Sequence, residues 1–547
     1  MTRIIYNLFY NLFLLKFHSI TENNAFLNFE NYKIIMKFKR ILILSVIVII
    51  LNVQPSLGET KMSKVLIIGL DGATFDIILP WVKEGKLPNF EKLINEGSYG
   101  NLTSTLPTIS PVAWSSFATG VNPGKHGIFG FLTDYESSPV TRIDIKSKSF
   151  WEIASENGKR VIIMNAPMTY PPEEINGIII SGYESPEKEI FTYPENLTEE
   201  LNIKDYKIEA LDKRFKPGDE DELLKKLNYT EEKREEIALE IMKNERWDIF
   251  VIVFTETDRV QHYFWKYMEN KDSKYGDEIL KIYQKIDKTI GNFLNETDEN
   301  TNIIVMSDHG FGPLKGEIYL NNYFMENEML KFKSPYTYWL IKLGLTQQNL
   351  ASISEKIQKI PIFGFMNFVL EKIGLNKAGK VTPYLTFDDI NFSKTSAYAE
   401  NFGGGIYLNV KGRDTFGIID QEEYKKFILT VMKSLSEMKN SKGEKIFKKI
   451  YRKEDLYKGP YTDKAPDIIV ESEDDGYDTV GWLGYNTLIS NDDTKSGNHR
   501  KNGIVILWGK NVNKEVIKNA NIIDIAPTVL KIVGLKSEEM DGKCLIK

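Results

Sequence analysis

The chain has 547 residues, 42% of them hydrophobic and 27% charged, with a formal net charge of -6. That is enough sequence for one large α/β domain of roughly 400 residues with an inserted subdomain, built on a sizeable buried core. Lys and Arg are scattered and matched by Asp and Glu, without the basic stripe of a phosphate-backbone binder, so no binding of duplex nucleic acid is expected. The single cysteine, Cys544, excludes an intramolecular disulfide and a cysteine-rich zinc site.

From the amino terminus, residues 1–61 differ from the rest and are set apart as a leader. From Met36, a basic segment (Lys37, Lys39, Arg40) precedes an apolar run from Ile41 to Val53. That run is shorter than the roughly 20 residues a membrane span needs and fits a signal peptide or an amino-terminal anchor. The expectation is export or membrane association through the leader; translation from Met62 would leave the protein cytoplasmic.

From Lys64 apolar runs alternate with amphipathic segments, which argues for an α/β sheet with helices on both faces. Strands are expected at Lys64–Leu70, Arg160–Asn165, Gly177–Gly182, Asp248–Phe254, Asn302–Met306, Asp467–Val470 and Gly503–Trp508, and helices at Asp221–Asn244 and Tyr275–Glu296. Residues 315–387 read differently, as an aromatic-rich helical insertion capping a site, with Tyr336, Tyr338, Trp339, Phe363 and Phe368. A strand at Gly405–Asn409 and a helix at Gln421–Lys439 return the chain to the α/β pattern. The catalytic domain would thus comprise residues 62–314 and 388–547.

Three clear strands stop on an acidic residue: KVLIIGL on Asp71, FVIVFTET on Asp258 and IIVMS on Asp308. In open α/β sheets the ligand crevice lies beyond the carboxyl ends of parallel strands, so these aspartates are candidates to converge. Of five histidines one, His18, lies in the leader, and the others sit in distinctive places. Asp258 and His262 share a helix face at i, i+4 and can chelate one ion. Asp308-His309 occupies a tight turn, and His499 sits in a Gly/Asn-rich loop from which it could complete a site. Oxygen and imidazole donors in this number suit zinc or manganese. The segment Leu106–Phe131 supplies a nucleophile. A Thr/Ser-Pro turn precedes a helix at about Val112–Thr119, and a hydroxyl at that amino terminus, Ser110, is well placed for anion chemistry; its bland alternative is a helix cap.

With these motifs in order, the sequence resembles the alkaline phosphatase superfamily, nearest its type I phosphodiesterase/nucleotide pyrophosphatase branch. The matching elements are Asp71-Gly72 with Leu87–Gly97, Ala118–Ile128, D-x-x-x-H, S-D-H-G with a distant histidine, and the closing Asp524–Leu535 with Met540-Asp541-Gly542. The resemblance implies an alkaline-phosphatase-like three-layer fold with a mainly parallel central sheet. It also implies two divalent ions, zinc or manganese, one held by Asp258, His262 and His499 and the other by Asp71, Asp308 and His309. Counting back from Thr119-Gly120 it makes Ser110 the nucleophile and a metal ligand, with Thr108 as runner-up. His126 would shape the pocket. Where the nucleotide pyrophosphatases carry a phosphoryl-binding asparagine this chain has Phe131, which leaves Lys125 and Asn498 as candidates for substrate binding.

The implied activity is hydrolysis of a small-molecule phosphoester through a phosphoserine. Two divalent ions, three aspartates and an alkoxide sum to a nearly neutral site, which favours a diester monoanion; a monoester dianion would call for a further cation such as Lys125 or Arg500. A phosphomonoesterase, a phosphotransferase on lipid or glycan head groups and a phosphosugar mutase are the alternatives.

Overall fold

The computed structural model describes residues 63–133, 138–183, 185, 190–201, 206–211, 215–270, 273–342, 385–472, 476–490 and 494–546. The expected leader and residues 343–384 of the expected cap, with Phe363 and Phe368, lie outside them. No helix among the described residues is long and apolar enough to cross a membrane.

A nine-stranded sheet forms the centre. Across it run Ala520–Asn521, Ser98–Thr103, Asn502–Trp508, Thr301–Met306, Lys64–Leu70, Ile249–Phe254, Val161–Met164, Gly177–Ile180 and Thr192–Tyr193. Asn502–Trp508 and Thr192–Tyr193 run against the others, so the sheet is mainly parallel, as expected. The central strands are apolar at nearly every position because both of their faces are covered. Leu66, Ile68 and Leu70 point into a core shared with the helices Phe75–Lys83, Pro88–Glu96, Glu220–Asn244 and Glu278–Asn295. Val65 and Ile67, one residue out of phase, point into a second core with Ser110–Thr119, Phe150–Glu156 and Ile525–Ile532. Each such side chain, once fully buried, contributes about 1.5–3 kcal/mol. Glu278–Asn295 shows why these segments are helical. Its buried residues Ile279, Ile282, Tyr283, Ile286, Ile290 and Phe293 recur every three or four positions on one stripe.

Two expected α/β elements go elsewhere. Gly405–Leu408 and Ile468–Ser472 join a four-stranded sheet with Ala397–Ala399 and Phe447–Arg452, antiparallel throughout, and Gln421–Ser436 covers it through Ile428, Val431 and Leu435. A short apolar run specifies extended backbone but not its partner strand, which is why the sequence placed them in the parallel sheet. At the start of the expected insertion, Gly316–Tyr319 pairs with Tyr477–Val480 and Ile489–Ser490. Phe324, Leu330 and Ile341 pack into the core of the antiparallel sheet, whereas Tyr336 and Trp339 stand exposed.

The register positions the site. Leu70 lies opposite Phe254 and Gly69 opposite Met306, so the segments carrying Asp71, Asp258 and Asp308 leave the sheet along the same edge.

Candidate metal centre and nucleophile

Asp71 follows the central strand directly, its backbone N–H donating to Phe254 O at 3.0 Å. The turn continues through Gly72 at φ +67, where an added Cβ would lie 2.8 Å from the Phe311 ring, so only glycine suits it. Gly72 N–H donates to Asp308 Oδ1 at 3.2 Å, tying two of the strand-end carboxylates together. Asp258 sits in the first turn of the helix Glu256–Glu269, and His262, one turn on, brings Nε2 to 3.4 Å from Asp258 Oδ1. His499 arrives on the strand Gly497–Arg500, which pairs with Gly310–Pro313, and its Nε2 lies 3.3 Å from the same oxygen.

The imidazoles are oriented from behind. Nδ1 of His262, His309 and His499 lies 3.0–3.1 Å from the carbonyls of Gly497, Gly310 and Thr108 respectively. Donation to a carbonyl fixes the Nδ1–H tautomer and leaves the Nε2 lone pairs directed inward. Nε2 of His262 and His499 then face each other at 3.1 Å with no proton to share, the arrangement two ligands of one cation adopt.

The donor set fits divalent ions. Asp258, His262 and His499 offer ligand atoms within 4.8 Å of one another, and so do Asp71, Asp258 and His309. Asp308 Oδ2 lies 3.2 Å from His309 Nε2. Asp71 Oδ1, Asp258 Oδ1, Asp308 Oδ2 and His309 Nε2 are all buried without a hydrogen-bond partner in the protein, a costly state that cation binding relieves. Asp258 thus belongs to both groups, where the sequence assigned it to one. Electrostatics agree. Burial, and then the charges of Asp308 and Asp258, push the Asp71 carboxyl well up, and burial raises Asp308 to about 7. Burial holds His499 down at about 3, in the neutral form a ligand needs.

Ser110 opens the helix Ser110–Thr119 at its first residue. The cap position belongs to Ile109, which makes no side-chain cap bond, so Ser110 is not serving as a cap. Trp114, one turn later, donates Nε1–H to Asp71 Oδ2 at 3.3 Å, and Thr108 O meets His499, so the helix entrance is fastened to the ligand cluster at two points. Ser110 lines a cavity of about 340 Å³ together with His262, Asn498 and His499. Thr108 also lines it, but its hydroxyl is engaged with Thr105 O at 3.2 Å.

Lys125 does not reach this cavity: its ammonium pairs with Asp541 on the outside. Arg500 is likewise turned to the carbonyls of Asn498, His499 and Pro313. His126, buried, joins Ser116 Oγ at 2.9 Å through Nε2 and accepts Ile128 N–H at Nδ1, which braces the Ser110 helix. Among the described residues, the cations that line the cavity are Arg259 and Lys495, neither singled out from the sequence. Their signal was adjacency: Arg259 follows Asp258 directly, and Lys495 precedes Asn498 by three residues. Phe131 lines the wall and packs on Phe402 with ring centroids 5.3 Å apart.

The model of the family described as Type I phosphodiesterase / nucleotide pyrophosphatase matches residues 65–501. No curated protein matches the chain. Among solved structures, phosphonoacetate hydrolase from Sinorhizobium meliloti 1021, in complex with phosphonoformate, is similar at 14% identity and a TM-score of 0.53, covering 86% of this chain and 97% of that one. Human ectonucleotide pyrophosphatase / phosphodiesterase 5 follows at 12% identity and a TM-score of 0.49, covering 88% and 97%. At 14% identity the likeness to the phosphonoacetate hydrolase concerns the fold alone.

Proposed function

Because the chain belongs to the type I phosphodiesterase / nucleotide pyrophosphatase family, we propose that it is a metal-dependent hydrolase of small-molecule phosphoesters that works through a phosphoserine at Ser110. The observation that supports this reading is the convergence of four unpartnered buried ligand atoms, on Asp71, Asp258, Asp308 and His309, close to a helix entrance bearing a hydroxyl. Asp258, His262 and His499 would hold one divalent cation, and Asp71, Asp308 and His309, with Asp258 shared, the other. When bound, such ions supply Lewis acidity, lowering the serine pKa and offsetting charge on the phosphoryl oxygens.

The chain's own groups do the rest. Ser110, its hydroxyl proton given up to solvent, attacks phosphorus in line through Oγ; the Oγ–P bond forms as the ester P–O bond breaks, and the departing oxygen leaves with the electron pair and takes up a proton from solvent. Water then cleaves the phosphoserine and releases phosphate or a phosphomonoester. The positive end of the helix dipole faces the Ser110 hydroxyl and favours the anion. Asn498, on the cavity wall, is a donor for a phosphoryl oxygen, taking the place the sequence also offered to Lys125.

Turnover of bis-p-nitrophenyl phosphate and p-nitrophenyl phosphate with Zn²⁺ and Mn²⁺ tests the reading. Ser110→Ala should lower kcat by at least about 10³-fold, and acid quenching of the wild type should leave a phosphoryl group on the Ser110 peptide. Full activity in Ser110→Ala would refute the nucleophile.

A further inference from the structure

Arg259 and Lys495, the two permanent cations on the described cavity wall, are engaged differently. Arg259 donates Nε–H and Nη2–H to Glu209 Oε2 at 3.1 and 2.6 Å and Nη1–H to Asp258, so its charge is already shared by two carboxylates. Among the described residues, the carboxylate paired with Lys495 is Asp478, whose Oδ2 lies 3.8 Å from Nζ, beyond hydrogen-bond reach. The Lys495 side chain is 25% exposed. Burial alone would lower its pKa, but Asp478, Tyr263, Glu317 and Asp258 outweigh that and keep it charged.

The segment carrying Lys495 is stitched to the Asp258 helix. Ser496 N–H donates to His262 O at 2.7 Å, Lys266 N–H donates to Ser496 Oγ at 3.1 Å, and Gly497 O meets His262 Nδ1 at 3.0 Å. The backbones approach so closely that a Cβ on Gly497 would lie 2.4 Å from Gln261 O. The backbone that bears Lys495 is therefore fixed next to the ligand cluster, and its side chain lines the cavity.

On the phosphohydrolase reading above, two divalent ions, three aspartates and the Ser110 alkoxide cancel, Glu209 offsets Arg259, and Glu471 on the same wall faces Lys501 at 3.7 Å, which leaves Lys495 with the loosely held Asp478. A singly charged diester needs nothing more, whereas a second negative charge in a partly desolvated cavity needs its own cation. We propose that Lys495 binds a second negative charge on the substrate, and that the chain therefore prefers phosphoesters bearing two or more charges over singly charged diesters. Asp478 holds the ammonium over the cavity without a hydrogen bond, and a phosphate oxygen at charge-assisted distance displaces that contact.

The test compares wild type, Lys495→Met and Lys495→Arg on three esters: bis-p-nitrophenyl phosphate with one charge, p-nitrophenyl phosphate with a second charge on the reacting phosphorus, and ATP with extra charge on the departing group. Inorganic phosphate binding is measured in parallel by calorimetry. Lys495→Met should lose about 10-fold or more in kcat/KM on one or both multiply charged esters and bind phosphate correspondingly more weakly, with bis-p-nitrophenyl phosphate changed by less than about 3-fold; Lys495→Arg should recover part of the loss. Whichever of p-nitrophenyl phosphate and ATP suffers more reveals whether the second charge sits on the phosphorus or on the departing group. Equal losses on all three esters, or none on any, would overturn the proposal. A wild type that turns over none of them sinks the phosphohydrolase reading instead, and the phosphate titration then decides the role of Lys495 by itself.

Discussion

Asp258 lies within reach of both candidate ligand groups at the scale of single residues. Its Oδ1 faces both His262 and His499, it falls within reach of the Asp71 and His309 ligand atoms, and Arg259 lies against its other oxygen. Removing it should cost metal at both groups, whereas removing His499 should cost it at one. Elemental analysis of purified protein should therefore find Asp258→Ala nearly metal-free and His499→Ala holding about half the wild-type content. Equal, half-maximal losses would return Asp258 to a single ion, and undiminished content in both variants would refute the ligand assignment. The ligand types were readable from the chain, because aspartates at strand ends and a histidine one helical turn away advertise themselves by spacing. That Asp258 lies within reach of both groups was not readable, since it depends on how three loops fold over one edge.

Among the elements, the helix Glu256–Glu269 places Asp258 and His262 together, and its entrance is locked by a buried ion pair. Arg234, fully buried on the helix Glu220–Asn244, donates Nη1–H to both oxygens of Glu256 at 2.5 and 2.6 Å and Nη2–H to Ile208 O at 3.0 Å. Arg234→Met would strand the Glu256 carboxylate without its partner, at a cost of about 3–5 kcal/mol. Arg234→Met combined with Glu256→Gln should recover much of it. Chemical denaturation of the single and double variants checks this; a double variant no more stable than Arg234→Met would show that the pair is not the source. Arg234 and Glu256 stand 22 residues apart, each looking like any charge on an amphipathic helix, and only packing of the two helices turns them into a clasp.

For the whole molecule, the antiparallel sheet meets the loop that carries Gly130 at Glu400. This carboxylate follows the strand Ala397–Ala399 and presses on Gly130, where a Cβ would clash with its Oε1, and its Oε2 is buried without a partner. Burial raises it from 4.5 to about 8. The folded state therefore keeps a proton that the unfolded chain releases near pH 4.5, so this contribution is complete below that pH and is lost as the pH climbs through about 8. The loss is on the order of 5 kcal/mol. Denaturation midpoints measured from pH 5 to 9 should fall more steeply for the wild type than for Glu400→Gln, and superimposable curves would contradict the assignment. The sequence by itself determined the α/β character, the seven expected strands and the residue types able to hold ions, because hydrophobic period and strand-end placement are local properties of the chain. Tertiary structure alone decided that Gly405–Leu408 and Ile468–Ser472 form a separate antiparallel sheet, that Lys125 turns outward to Asp541, and that Arg259 and Lys495 are the cations on the cavity wall. Strand partners and side-chain neighbours are set by contacts between segments far apart in the chain, and no local pattern encodes them.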